Sequence, residues 1–383
     1  MKKMKVYTIR FMMLIASAAS FLISCTEDED GQPLITNVRV TEKDSTITGG
    51  EFNLTLAIQG SELGSVQKVF FNDVEAYLNP VYVTSSNIIV TIPDSPPTTI
   101  NNKITVVTSS GKTASYDFTV VLPEPIVLGL YNEFALPGTE NRVLGNYFYV
   151  INKVLVGETE VEITKVTATE IVFIMPSSVG PDETITVDGG GGVVTPTFKL
   201  HPTGGNMVNF DIPATGWGSD VCWGDAERIN PDASELEVIS GRYTRIKQSN
   251  LPQTGWQGDW VISTCWFDFG LAAAHHSAKV FKFEVNVVEI WKAGFYEINI
   301  STEDGSLHQY LFKPWDSDEY KNSGFATKGW RTVYIPLSEF KTSGGAQISD
   351  ISKIRDFQFI FKTPDAPIDK FYAAADNFRI EDL

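Results

Sequence analysis

Three segments of this chain occur twice, in the same order and at nearly the same separation. VQKVFFND at 66–73 matches INKVLVGE at 151–158. VTSSNIIVTIP at 83–93 matches VTATEIVFIMP at 166–176, and KITVVTSSG at 103–111 matches TITVDGGGG at 184–192. The offset moves only from 85 to 83 to 81 residues. Each copy is a set of short Val/Ile/Thr-rich runs separated by turn residues, the pattern of strands rather than helices. A unit of about 80–90 residues holds one seven-stranded sandwich of immunoglobulin type. No long stretch has a 3.6-residue apolar period, so the whole chain is predicted to be all-β.

The tryptophans divide the chain differently. All eight lie at 217, 223, 256, 260, 266, 291, 315 and 330, beyond both repeats. The expected domains are therefore 33–122, 123–201 and 202–383. The first boundary falls in LPEPIV at 122–127, where Pro123 and Pro125 stiffen the chain and remove backbone donors. The second falls in HPTGGN at 201–206, where Pro and paired Gly mark a linker. GGGG at 189–192 lacks the Lys-Ser/Thr of a phosphate loop and is predicted to be a hairpin turn.

Charge and side-chain chemistry exclude several functions. With 30 Lys plus Arg against 47 Asp plus Glu, the net charge is −17. Nucleic acid is a poor partner for such a surface, because binding it depends on basic patches that displace counterions. Three Cys and four His are too few for a disulfide-built scaffold or a multi-histidine metal centre. His275 and His276 are adjacent, and in a strand would point to opposite faces. Neither GxSxG after a strand nor HExxH occurs. Candidate acids such as Glu284, Glu297, Asp316 and Asp318 show no spacing that singles out a glycosidase pair. The chain is not expected to be an enzyme, and no cofactor is expected.

The N-terminus reads as an address. Lys2, Lys3, Lys5 and Arg10 precede the apolar run FMMLIASAASFLIS at 11–24, a signal-peptide length. Leu22-Ile23-Ser24-Cys25 resembles a lipobox, which would make 1–24 a lipoprotein signal peptide and Cys25 the lipidated residue. Residues 25–32 then form an acidic tether, with Thr26-Glu27-Asp28-Glu29-Asp30 similar to the surface-export signal of Bacteroidetes-type lipoproteins. Loss of 1–24 would remove four positive charges and no negative ones. An exported chain permits a Cys222–Cys265 disulfide, and two buried free thiols remain an equal alternative.

Strands of the third module alternate cleanly. Phe281, Phe283, Val285 and Val287 share one face, and Lys282, Glu284 and Asn286 the other. Val333, Ile335 and Leu337 oppose Trp330, Thr332 and Tyr334, while Phe357, Phe359 and Phe361 oppose Gln358, Ile360 and Lys362. Such alternation predicts two sheets in a β-sandwich or jelly roll, each with a buried and a solvent-facing side. An outer face carrying Trp330, Tyr334, Glu284, Asn286 and Gln358 suits a sugar, whose flat C–H face packs on aromatic rings and whose hydroxyls need planar polar partners. Trp315 and Trp330 lead the candidate rings, with Trp256 and Trp260 in Gly-flanked surroundings next and Trp217 and Trp223 behind. Trp266 and Trp291 are assigned mainly to the core. Asp376 and Asp211 could offer oxygen ligands to Ca²⁺, but Asp376 is better read as a cap for the turn before the last strand, and no metal is expected.

These parts resemble a known family. The first repeat looks like an IPT/TIG domain through Pro33, Gly49-Gly50, KVFFN at 68–72, IVTIP at 89–93 and TSSG at 108–111. The second keeps Pro125, KVLVG and IVFIMP but lacks a clear double Gly, which leaves its second strand least defined. The third module is similar to carbohydrate-binding jelly rolls through FKFEVNV at 281–287, GWRTVYIPLSEF at 329–340 and ADNFRI at 375–380. Together they resemble surface glycan-binding lipoproteins of Bacteroidetes-type polysaccharide-utilisation loci. The resemblance implies a lipid anchor in the cell outer membrane, facing the exterior, and a polysaccharide ligand. It also implies a SusD-like protein and a TonB-dependent transporter as partners. The charge favours a neutral plant β-glycan: xyloglucan, mixed-linkage β-glucan, mannan or xylan. The alternatives are a surface adhesin that binds a protein and, behind it, a glycoside hydrolase or lyase.

Overall fold

The computed structural model describes residues 31–211, 221–224, 226–254 and 261–383. These form two compact units that divide between Leu122 and Pro123. Apart from short 3₁₀ turns, the regular elements are β-strands.

In the first unit, a three-stranded sheet orders Leu34–Val40, Thr55–Ser61 and Asn87–Thr91. It faces a four-stranded sheet of Val74–Ala76, Val66–Phe71, Lys103–Thr108 and Thr113–Asp117. Alternate residues point inward, so Val38, Leu56, Ile58, Val69, Ile88, Ile104 and Val106 are fully buried. Gly49–Glu51 pairs in parallel with Thr119–Val121, which places the double glycine in a strand.

Residues 123–200 repeat the plan. Ile126–Leu130, Glu140–Asn146, Glu170–Ile174 and Ile163–Val166 form one sheet, and Thr159–Glu160, Ile151–Val156, Ile185–Gly189 and Gly192–Val194 the other. The segments matched in sequence occupy matching places: Val66–Phe71 and Ile151–Val156 each pair with the strand from the third matched segment. Among the described residues, no strand here corresponds to Gly49–Glu51, in line with the missing double glycine. GGGG closes a hairpin, with Gly189 opposite Gly192. A Cβ on Gly191 would lie 1.9 Å from the Pro123 carbonyl oxygen, so that turn admits only glycine.

Residues 202–383 form a larger β-sandwich. Its six-stranded sheet orders Glu227–Ile229, Tyr243–Leu251, Ile368–Asp382, Lys279–Val287 and Arg331–Pro336, with Asn206–Val208 also paired to Ile368–Asp382. The four-stranded sheet orders Val261–Ser263, Ile354–Lys362, Phe295–Thr302 and Leu307–Phe312. Phenylalanines fill the space between: Phe283 stacks on Phe378 at 5.1 Å, and Tyr296 on Phe359 at 4.0 Å. Each buried aromatic removes ~150–250 Å² from water, so this layer dominates the domain's stability.

The second sandwich packs on the outer face of the six-stranded sheet through residues 130–135. Glu133 is fully buried there between Lys282, at 2.8 Å, and Arg379, and Arg379 also grips Glu284 at 2.8 Å. Thr332 Oγ1 accepts from the Glu133 backbone N–H at 2.8 Å and donates to Glu284 at 2.9 Å. The Tyr334 hydroxyl accepts from the Leu130 N–H at 3.0 Å. His201 stacks on Phe134 at 5.7 Å and contacts the Ala135 carbonyl through Nε2 at 3.0 Å. Burying four charges is tolerated only because each has partners.

Candidate glycan-binding face

The register sets two outer faces against each other. The outer face of the six-stranded sheet carries Glu284, Asn286, Trp330 and Tyr334, and it is not open to solvent. Glu284 is 0%, Trp330 4% and Asn286 6% exposed. Trp330 donates its indole N–H to the Glu237 carbonyl at 2.7 Å and meets Tyr243 edge-on, in a cluster with Phe134 and Ile239. Tyr334 lies under Gly129, where a Cβ would meet the ring at 2.9 Å. The expectation that these four residues face a ligand is therefore corrected. Alternation identifies residues that share a face, and here residues 129–134 lie against Tyr334 and the Glu284 cluster, while Glu237, Ile239 and Tyr243, with Phe134, cover Trp330.

Burial also shifts the acids on that face. Desolvation pushes the Glu284 carboxyl up to about 7, with Arg379 pulling the other way. Asp376, buried within Ile368–Asp382, is held well above the usual carboxylate range by desolvation. It accepts from Ser240 Oγ at 3.1 Å and the Asn377 N–H at 2.8 Å, so it lies within the last strand instead of capping its entry. Among the described residues, no group of three or more His, Cys, Asp or Glu could hold a metal ion.

The outer face of the four-stranded sheet is different. Antiparallel partners share a face, and one row crosses all four strands: Ser263 opposite Gln358, Gln358 opposite Asn299, and Asn299 opposite Gln309. The amides bond side to side. Gln309 Nε2 donates to Asn299 Oδ1 at 3.2 Å, and Asn299 Nδ2 donates to Glu297 at 3.1 Å and to Gln358 at 3.4 Å. Gln358 Nε2 donates to Asp356 at 3.2 Å, and Thr264 donates to the other Asp356 oxygen at 2.9 Å. Lys362 closes the row below on Glu297 at 2.6 Å. Asn299 is buried in the centre, while Gln309 and Gln358 on either side are half-buried. Leu307 and Leu311 lie exposed on the same face. The result is a row whose donors and acceptors are already oriented, with Ser263 and Asn299 buried and Gln309 and Gln358 partly accessible.

The remaining tryptophans separate clearly. Trp291 is in the core, as expected, with its indole N–H on the Ala293 carbonyl at 2.6 Å. Trp315 is half-buried against that core and donates to the Gly294 carbonyl at 2.7 Å. Trp256 and Trp260, like Trp217 and the lipidation candidate Cys25, lie outside the described residues. Trp266, expected in the core, is 54% exposed, and Trp223 is 51% exposed. Cys222 and Cys265 form a disulfide, which resolves the choice left open by the sequence. A cavity of about 410 Å³ opens elsewhere, beside Lys199, Phe269 and Lys279. Lys279 on its rim is already paired with Asp382 at 2.7 Å.

Comparison with known proteins follows these boundaries. Residues 201–382 match the family model "Surface glycan-binding protein B xyloglucan binding domain", and residues 39–120 match "IPT/TIG domain". A curated "IPT/TIG domain-containing protein" of Bacteroides ovatus is 34% identical over 143 residues, covering 35% of this chain and 29% of that protein. This chain thus spans less than a third of that relative. The crystal structure of surface glycan-binding protein PbSGBP-B from Prevotella bryantii has a TM-score of 0.74 at 23% identity, covering 92% of this chain and 99% of that one. SGBP-B from a complex xyloglucan utilization locus in Bacteroides uniformis has a TM-score of 0.52 at 19% identity, covering 92% of this chain and all of the other. Residues 201–382 are therefore a domain of the surface glycan-binding protein B xyloglucan-binding type, and residues 39–120 an IPT/TIG domain before it.

Proposed function

We propose that this protein binds a neutral plant β-glycan, with xyloglucan first among the choices, and does not cleave it. The observation that carries this reading is the Ser263–Gln358–Asn299–Gln309 row across the four-stranded sheet. Amide groups offer both donors and acceptors, as sugar hydroxyls require. Their mutual hydrogen bonds fix their orientation before a ligand arrives, which lowers the entropic cost of binding. The family model matched by residues 201–382 supports xyloglucan. A net charge of −17 disfavours an acidic polysaccharide.

Binding without cleavage fits the partners of the acids on this face. Glu297 is ion-paired with Lys362, and Asp356 is held by Thr264 and Gln358. A glycosidase instead needs one carboxylic acid and one carboxylate facing each other across the sugar, ~5–10 Å apart. The lipobox at Cys25 supports anchoring in the outer membrane with the sandwich outside. There the glycan would be presented to a SusD-like protein and a TonB-dependent transporter.

Affinity electrophoresis through xyloglucan tests the site. Gln309→Ala and Gln358→Ala should each weaken binding several-fold, since one hydrogen bond contributes ~1 kcal/mol. Unchanged retardation of both variants would move the site off this face. Unretarded migration of the unaltered protein would overturn the glycan reading.

A further inference from the structure

The amide row does not stop at the sheet edge. Trp223 forms an isolated antiparallel bridge with Ser263, donating to its carbonyl at 3.3 Å and accepting from its N–H at 2.8 Å. Partners in such a bridge share a face. Trp223 therefore extends the row Ser263–Gln358–Asn299–Gln309 by one position on the same side. Neighbouring strands lie ~4.8 Å apart, so the row from Trp223 to Gln309 is roughly 19 Å long.

A second exposed tryptophan is tied to the same segment covalently. Cys222 and Cys265 are bridged, with Cα atoms 5.9 Å apart, and each is followed directly by an exposed tryptophan. Cys265 and Trp266 both have left-handed backbone, with φ of 51° and 64°. Residues other than glycine keep that conformation only where the surroundings impose it. Here the disulfide holds one side, and the Phe267 N–H bond to the Arg355 carbonyl at 2.5 Å holds the other. Trp266 is thus kept in solvent at a conformational cost that core packing does not explain, one residue from the disulfide that ties it to the Trp223 segment.

We propose that the Cys222–Cys265 disulfide is a positioning element for glycan binding, fixing Trp223 and Trp266 as a paired aromatic platform at the end of the amide row. This rests on the glycan reading above. The indole faces take the C–H faces of successive pyranose rings, while the amides take their hydroxyls. The disulfide acts through the rings: it holds the 221–224 segment against Val261–Ser263, reinforcing the Trp223–Ser263 bridge and the Cys222 N–H bond to the Ser263 carbonyl at 3.1 Å.

Calorimetric titration of the full chain with xyloglucan oligosaccharide provides the test. Trp223→Ala and Trp266→Ala should each weaken binding about tenfold or more, as loss of an aromatic anchor does. The double variant Cys222→Ala/Cys265→Ala should weaken it comparably at temperatures well below its own melting point. A merely structural disulfide would lower the melting point and leave the Kd of folded protein unchanged. Adding Trp266→Ala to the disulfide-free chain should then cost less than about threefold, because the ring is already unfixed. Full affinity in the disulfide-free chain, or in both tryptophan variants, overturns the proposal. Should the disulfide-free chain not fold, the two tryptophan variants decide alone. Silence from the unaltered chain removes the glycan reading and the platform with it, whereas binding that all variants retain removes the platform only.

Discussion

At the residue scale, the same side-chain chemistry appears on two faces with opposite roles. Trp330 is an aromatic plate on the outer face of a sheet, yet its ring is covered and its N–H is used by Glu237. Trp330→Ala should therefore cost ~3–5 kcal/mol of stability, read from denaturant unfolding, and leave the Kd of folded protein unchanged. Loss of affinity without loss of stability would return Trp330 to the binding site. Removing Glu133 would take one carboxylate from Lys282 and Arg379, which keep Glu381 and Glu284 as partners, so Glu133→Ala should be destabilising by ~1.5–3 kcal/mol. Glu284 adds a pH signature. Its carboxyl titrates near 7 when folded and near 4.5 when unfolded, so the folded state binds the proton more tightly. Its contribution to stability is then greatest below about pH 4.5, falls as pH rises to 7, and is flat above. Glu284→Gln should flatten that part of the stability–pH curve, and an unchanged slope would show that Glu284 does not titrate there.

At the element scale, the strands were legible in the sequence and their surroundings were not. Period-two alternation placed Phe281, Phe283, Phe357, Phe359 and Phe361 on inner faces, where they pack. The same alternation put Gln358 on an outer face, where it stays half-buried beside the buried Asn299 and the half-buried Gln309. It put Glu284 and Asn286 on an outer face too, where both are buried, and nothing local encodes that residues 130–135 pack around Glu284. A hint existed in the charges: Lys282, Glu284 and Arg379 are opposite charges on neighbouring strands, able to neutralise one another when covered. Asn299 and Gln309 were missed because their row is assembled from four strands separated in sequence, and register pairs them only after folding. Trp266 was misplaced because the aromatic run WFDFG looks like core, whereas left-handed backbone at Cys265 and Trp266 interrupts the alternation. The covered face has a consequence for dissection. Residues 202–383 made alone would expose Trp330, Tyr334 and the Lys282–Arg379 charges. That fragment should melt below 123–383 by several degrees in a thermal scan, and equal melting points would contradict the packing role of Glu133.

At the scale of the whole molecule, two repeats of one sandwich plan precede a domain of another kind. The duplicated segments and the absence of tryptophan before residue 217 made that division readable from the sequence. Residues 123–200 share a buried ionic interface with the C-terminal sandwich and belong to its compact unit. The fragment 123–383 should therefore bind glycan with the affinity of the full chain, and a tenfold loss on removing the first unit would give that unit a part in the site. The most direct test of the central claim is titration calorimetry of the full chain against xyloglucan, with reducing-end release followed in the same samples. Saturable binding with no release is the expected result. Release of reducing ends, or the absence of any binding heat, would contradict it.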